Sequence, residues 1–197
     1  MRGERIRNLV FRHLWLENST EPSNLSGEAL ATAKIDSLEL CDSVDIHSWL
    51  FKPCCPFDVS EVLTVGIDAD ATLLAELGES PAATTIETLT LNLYWPYQRL
   101  HLGPFVALRR LTVLSMDGDN GISVTLGMLS TAPAPNLIHE ITILLLELPR
   151  PECTRFDQEL VNLKDRMPYL NRVVLSCPGG GLSSLFPLLS ATGLLRQ

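Results

Sequence analysis

The sequence predicts an α/β fold. Short parallel strands stack into an open solenoid, with the strands on a concave face and helices or turns returning over the convex one. Two observations predict it. Leucine fills 37 of the 197 positions, and the phrase L-x-x-L-x-L, or a close variant, recurs along the whole chain. Anchors at Leu14, Leu38, Leu63, Leu89, Leu111, Ile141 and Val173 are 24, 25, 26, 22, 30 and 32 residues apart. Leucine-rich repeats run about 20–29 residues with this phrase at their strand. Four intervals fall in that range, and the last two carry insertions. The reading is a single domain over 1–197 with about seven repeats.

Period two in a strand sends alternate side chains to opposite faces. In Leu14-Trp15-Leu16 the leucines then face the core and Trp15 faces out. The first copy is read from Phe11 to Leu16, the second from Ile35 to Leu40, and the third from Phe57 to Val65. Ile86 to Leu91 gives the fourth and Phe105 to Val113 the fifth. Pro135 to Ile143 gives the sixth and Met167 to Leu175 the seventh. Between them, Asp70 is placed to cap a helix that buries Leu73, Leu74 and Leu77 and ends at Gly78. Thr154 and Asp157 suggest a capping box, followed by Phe156, Leu160, Leu163 and Met167 at helical spacing. Ser43 to Phe51 and Ser123 to Leu129 are further helical stretches. Thr131 to Pro135 and Cys177 to Gly181 read as loops on their proline and glycine content. A terminal helix carrying Leu182, Leu185, Phe186 and Leu189 is expected to close the last repeat. Repeat stacks need polar caps at both ends, and the amino-terminal end is expected to be shielded by charged residues or to be a cut surface.

Hydrophobic residues at 46% against 19% charged exclude intrinsic disorder. The longest strongly apolar run, Ile141 to Leu148, is interrupted and far below the roughly 20 residues of a membrane span. The net charge of −8 and the three lysines argue against nucleic acid, whose binding rests on cationic contacts to phosphate, and against anionic membrane surfaces. The five cysteines, with no secretory signal ahead of them, point to free thiols inside the cell, in cytoplasm or nucleus. Cys41 and Cys177 read as small buried hydrophobes. Cys41, His47, Cys54 and Cys55 lack the usual zinc spacing.

No chemistry-bearing motif is complete. Gly179-Gly180-Gly181 lacks the lysine of a phosphate loop, and His139-Glu140 is not followed by a histidine at 143. Asp117-Gly118-Asp119-Asn120-Gly121 opens like a calcium loop but has Met128 where the terminal glutamate belongs, so it is read as a polar turn. With no nucleophile–base pair and no metal set, the chain is read as a non-enzyme with no cofactor and no metal.

The phrases FVALRRLTV, TAPAPNLIHEITI and MPYLNRVVL, with the closing LFPLLSATGLLRQ, resemble the repeat region of fungal F-box/leucine-rich-repeat proteins, especially those of mushroom-forming fungi. The resemblance implies a protein-interaction module like the substrate-recognition repeats of a cullin-based ubiquitin ligase. It implies an adaptor contact only where an F-box lies upstream, and no F-box-like segment is expected ahead of Phe11. The alternative is a stand-alone scaffold or remnant without ligase recruitment. On the first reading the partner is a protein on the concave face; on the second the repeats are only a scaffold or a self-association surface. The residues alternating with the core leucines supply that face: Trp15, Glu17, Glu39, Thr64, Thr90, Asn92, Arg110, Thr112, Glu140, Thr142, Arg172 and Val174. Tyr94 and Trp95, just after the fourth strand, complete the set. Aromatic and arginine side chains dominate interface hot spots, which singles out Trp15, Tyr94, Trp95 and Arg110.

Overall fold

A computed structural model of the chain describes residues 5–12, 33–41, 49–50, 55–68, 71–94, 100–115, 118–145, 150–176 and 181–196. Its strands are β1 (Arg5–Ile6), β2 (Leu9–Arg12), β3 (Ala33–Ile35), β4 (Ser37–Cys41), β5 (Phe57–Asp58) and β6 (Thr64–Asp68). They continue as β7 (Thr88–Leu93), β8 (Arg110–Ser115), β9 (Glu140–Leu145), β10 (Arg172–Ser176) and β11 (Leu195–Arg196). The helices are α1 (Ala71–Glu79), α2 (Gly118–Ser130), α3 (Arg150–Leu163), α4 (Leu182–Leu185) and α5 (Pro187–Ala191). The fold is α/β with parallel sheets. Among the described residues, eight strands form one sheet in the order β2-β4-β6-β7-β8-β9-β10-β11, and β1, β3 and β5 form a second, three-stranded sheet. Every pairing is parallel. Each strand of the larger sheet thus lies beside its predecessor in the chain. Parallel neighbours cannot be joined by a tight hairpin, so the chain crosses over between every pair.

The register fixes the core. One row across the sheet is Leu9, Leu38, Val65, Leu89, Leu111, Ile141, Val173 and Leu195; the next is Phe11, Leu40, Ile67, Leu91, Val113, Ile143 and Leu175. From Val65 to Ile143 these side chains are fully buried. Each contributes about 1.5–3 kcal/mol relative to exposure. A single hydrophobic cluster runs from Ile35 to Leu195.

Two strand anchors differ from the sequence reading. The third is Val65, and Leu63 sits in the turn before it at 42% exposure. The first is Leu9, paired with Leu38; Leu14 lies outside the described residues. Leu63, Val65 and Ile67 share one parity, so alternation alone could not choose between them. The turn chooses. The Asp36 carbonyl accepts the N–H groups of both Leu63 and Thr64, and the Leu63 carbonyl accepts those of Glu87 and Thr88. Glu87, Arg109 and His139 repeat the arrangement toward the next strand, all at 2.9–3.3 Å. The corner ahead of each of these strands is therefore stapled to the corner of the strand before it.

The crossovers depart from expectation in four places. Helix α1 buries Leu73, Leu74 and Leu77 as the spacing indicates, but Gly78 lies inside it. A Cβ there would stand 2.9 Å from Cγ of Pro104, so close packing against the next loop explains this glycine. Helix α2 begins at Gly118, where a polar turn was expected. Helix α3 begins at Arg150, four residues before Thr154, so Thr154 is not its cap. The carboxylate of Asp157, 1% exposed, instead accepts the backbone N–H groups of Leu188 at 2.7 Å and Leu189 at 2.8 Å. These are orphan donors of the first turn of α5, so the acid caps a different helix. Finally, the chain closes with two short helices and an added strand in place of one terminal helix. Phe186 and Leu189 are fully buried there, and β11 pairs with β10. The Thr131–Pro135 stretch is irregular, as expected, and 177–180 and most of 43–51 lie outside the described residues.

The amino-terminal end is less covered. Leu9 and Phe11 are only half-buried. Arg5 pairs with Asp36, and Arg12 reaches Glu39 at 3.0 Å. Among the described residues, no helix is long and apolar enough to cross a membrane.

Candidate functional site

Alternation puts a second set of side chains on the opposite face of the large sheet, and the register aligns them in three rows. The first row is Ser37, Thr64, Thr88, Arg110, Glu140 and Arg172. The middle row is Val10, Glu39, Gly66, Thr90, Thr112, Thr142, Val174 and Arg196. The third contains Asp68, Asn92, Leu114, Leu144 and Ser176. All are half-buried or exposed. Glu39, Thr64, Thr90, Asn92, Arg110, Thr112, Glu140, Thr142, Arg172 and Val174 thus share one face. Tyr94 is 56% exposed just beyond β7. Trp15, Glu17 and Trp95 lie outside the described residues.

The rows differ chemically. The middle row is nearly all small or β-branched, so it forms a low strip across the strands. At Gly66 a Cβ would make only ordinary van der Waals contacts, 3.6 Å from Cγ of Glu39 and 3.9 Å from Cβ of Thr90. Arg110 donates from Nε to Oγ1 of Thr88 at 3.2 Å, and Arg172 faces Glu140 at 3.4 Å. In the third row Asn92 donates to Asp68 at 2.8 Å; the row then turns apolar at Leu114 and Leu144. The sequence reading missed Gly66, Asp68, Leu114 and Leu144. Their signal was there, since each alternates with a core residue, but an outward leucine in a leucine-rich strand looks like core.

Cys41 lies on this face and is only half-buried, which corrects its reading as a core residue. Its Sγ donates to Oε1 of Glu39 at 3.3 Å. Burial first, then the Glu39 carboxylate, push its thiol up to about 11, with Asp68 adding to the rise. The thiolate is the nucleophile, so Cys41 is expected to alkylate slowly at pH 8. Glu39→Gln should speed it severalfold, read by mass spectrometry of the peptide carrying Cys41; equal rates would remove Glu39 from that role. Cys55 and Cys153 are buried, while His47 and Cys54 lie outside the described residues. Among the described residues no three His, Cys, Asp or Glu side chains are grouped to hold a metal. His101 is exposed, and His139 places Nδ1 2.7 Å from the Arg109 carbonyl. The face offers shape, hydrogen-bonding groups and charge for binding. No family model, no curated protein and no solved structure matches the chain.

Proposed function

We propose that this chain is a leucine-rich-repeat solenoid of seven or so units that binds another protein through the outward face of its large sheet. The observation that carries the reading is the strand order. Eight parallel strands follow one another in chain order at spacings of 22–32 residues, counted between the aligned residues. Solenoids built this way use their extended strand face for recognition. Binding is non-covalent, without cofactor and without catalysis, inside the cell. The resemblance to F-box proteins makes a ubiquitin-ligase substrate the favoured partner class.

The test compares proteins captured by wild type with those captured by Trp15→Ala/Arg110→Ala, quantified by mass spectrometry. Loss of a reproducible subset in the variant is the expected result; identical capture would remove this face. Co-purification of a cullin adaptor with the gene product would support the ligase assignment, and its absence from the captured set would reduce the reading to a scaffold.

A further inference from the structure

Another surface borders the strand face, on the rim where the chain turns into β8, β9 and β10. Three large apolar side chains stand in solvent there: Val106 is 52% exposed, Leu137 41% and Tyr169 58%. The turns explain which residues point out. In Phe105-Val106-Ala107-Leu108 and Met167-Pro168-Tyr169-Leu170 the first and fourth side chains are buried and the middle pair is not. The turn before β6 has the same pattern, Val59-Ser60-Glu61-Val62, with polar residues in the middle. The fold is therefore satisfied by polar residues at these positions, and packing does not explain apolar ones in three consecutive turns. Their strands are neighbours, about 4.8 Å apart, so the three turns span roughly 10 Å. Leu137 and Tyr169 stand at equivalent positions, four residues before the paired Ile141 and Val173, and Val106 stands one residue earlier in its turn. Single exposed apolar residues are ordinary, whereas contiguous ones mark interaction sites.

The same rim carries three arginines against two glutamates, Glu87 and Glu140, an excess of one positive charge in a chain of net charge −8. Arg109, Arg110 and Arg172 are all exposed. Arg109 faces Glu87 at 3.6 Å and Arg172 faces Glu140 at 3.4 Å, both longer than the roughly 2.7–2.9 Å of a strong charged hydrogen bond. Arg110 donates to a neutral hydroxyl, that of Thr88. Three guanidinium groups thus lie beside these apolar side chains, each able to take a carboxylate in two-pronged fashion.

We infer that this rim holds an extended acidic segment of a partner protein. Its carboxylates would lie over Arg109, Arg110 and Arg172, and its apolar side chains against Val106, Leu137 and Tyr169. This goes beyond the strand-face reading; the two surfaces share Arg110 and Arg172, and Val106, Leu137, Tyr169 and Arg109 belong to the rim alone.

The test is a selection of random 12-residue peptides on the full chain, followed by anisotropy titration of the best synthetic peptide. Enriched peptides should combine Asp or Glu with large apolar residues. Val106→Ser/Leu137→Ser/Tyr169→Ser and, separately, Arg109→Glu/Arg110→Glu should each weaken the peptide by tenfold or more. All five substitutions are at exposed positions, and the two variants act through different chemistry, so misfolding of one leaves the other to decide. Thr112→Lys, which blocks the middle row of the strand face, should leave binding unchanged. No enrichment, peptides without acidic bias, or rim variants that bind like wild type would overturn the inference. Loss with Thr112→Lys alone would move the peptide to the strand face, and sedimentation with phosphatidylserine vesicles in place of peptide binding would make the surface a membrane contact; each result refutes the rim proposal.

Discussion

Gly121→Ala should destabilise the protein by about 3 kcal/mol, the upper end of the usual cost of overfilling a packed site. In a chain of this size that lowers the melting temperature by roughly 6–12 °C. A Cβ at 121 would stand 2.2 Å from Oγ and 2.5 Å from Cβ of Ser115, and 3.4 Å from Cδ2 of Leu145. Ser115 is 4% exposed at the end of β8, and its Cβ belongs to the strand, so it cannot swing away as a long side chain would. Helix α2 must retreat from the sheet or β8 must bend. Ser115→Gly removes both clashing atoms. The double variant Gly121→Ala/Ser115→Gly should recover part of the loss, a coupling expected between residues in contact. A melting temperature unchanged by Gly121→Ala would mean that α2 does not press on β8.

Asp157→Ala is the second large effect, about 3 kcal/mol. Hydrogen bonds to a charged group are worth about 1.5–3 kcal/mol each, and losing the acceptor strands buried donors. Both carboxylate oxygens are engaged by backbone of the closing segment, and the side chain itself is 1% exposed. The damage should be local first. Hydrogen exchange should accelerate at Leu188 and Leu189 and then along β11, whose pairing with β10 depends on that segment staying docked. The Leu194 carbonyl accepts the Val173 N–H at 2.8 Å, so the amide of Val173 should follow. Asp157→Asn should fall between, because one amide oxygen remains to accept while the amide nitrogen brings an unwanted donor. Uniform exchange across the chain in the alanine variant would show that the closing segment is held by other contacts.

The sequence exposed the strands far better than the crossovers. Alternation is a property of each short segment, so Leu89-Thr90-Leu91 announces which side chain faces which way without help from the rest of the chain. That made Thr90, Thr112, Thr142 and Arg172 legible as outward residues. Parity fails when a run has two equally good starts. Leu63 and Val65 differ by two positions, and only the carbonyl of Asp36, 27 residues before Leu63, decides between them. The glycines misled for a similar reason. Gly78 and Gly121 read as a helix end and a turn, the commonest local uses of glycine, yet both sit in helices where another element approaches too closely for a side chain. Asp157 followed Thr154 at capping spacing, and its true partners lie about 30 residues away. In each case a contact distant in sequence outweighed a sound local preference. The apolar rim residues Val106, Leu137 and Tyr169 were hidden for the opposite reason: a hydrophobic residue beside a core position gives no sign that it points outward.

The carbonyls that each take two N–H groups at successive corners set a fixed pitch, whatever length of chain runs between them. Segments of 22 to 32 residues all return to the same step. Loop length is thereby uncoupled from rung height. Such a molecule can gain or lose residues on its return side through evolution, or swap a whole crossover by engineering, while the spacing of its outward-facing groups stays as constant as the markings on a ruler.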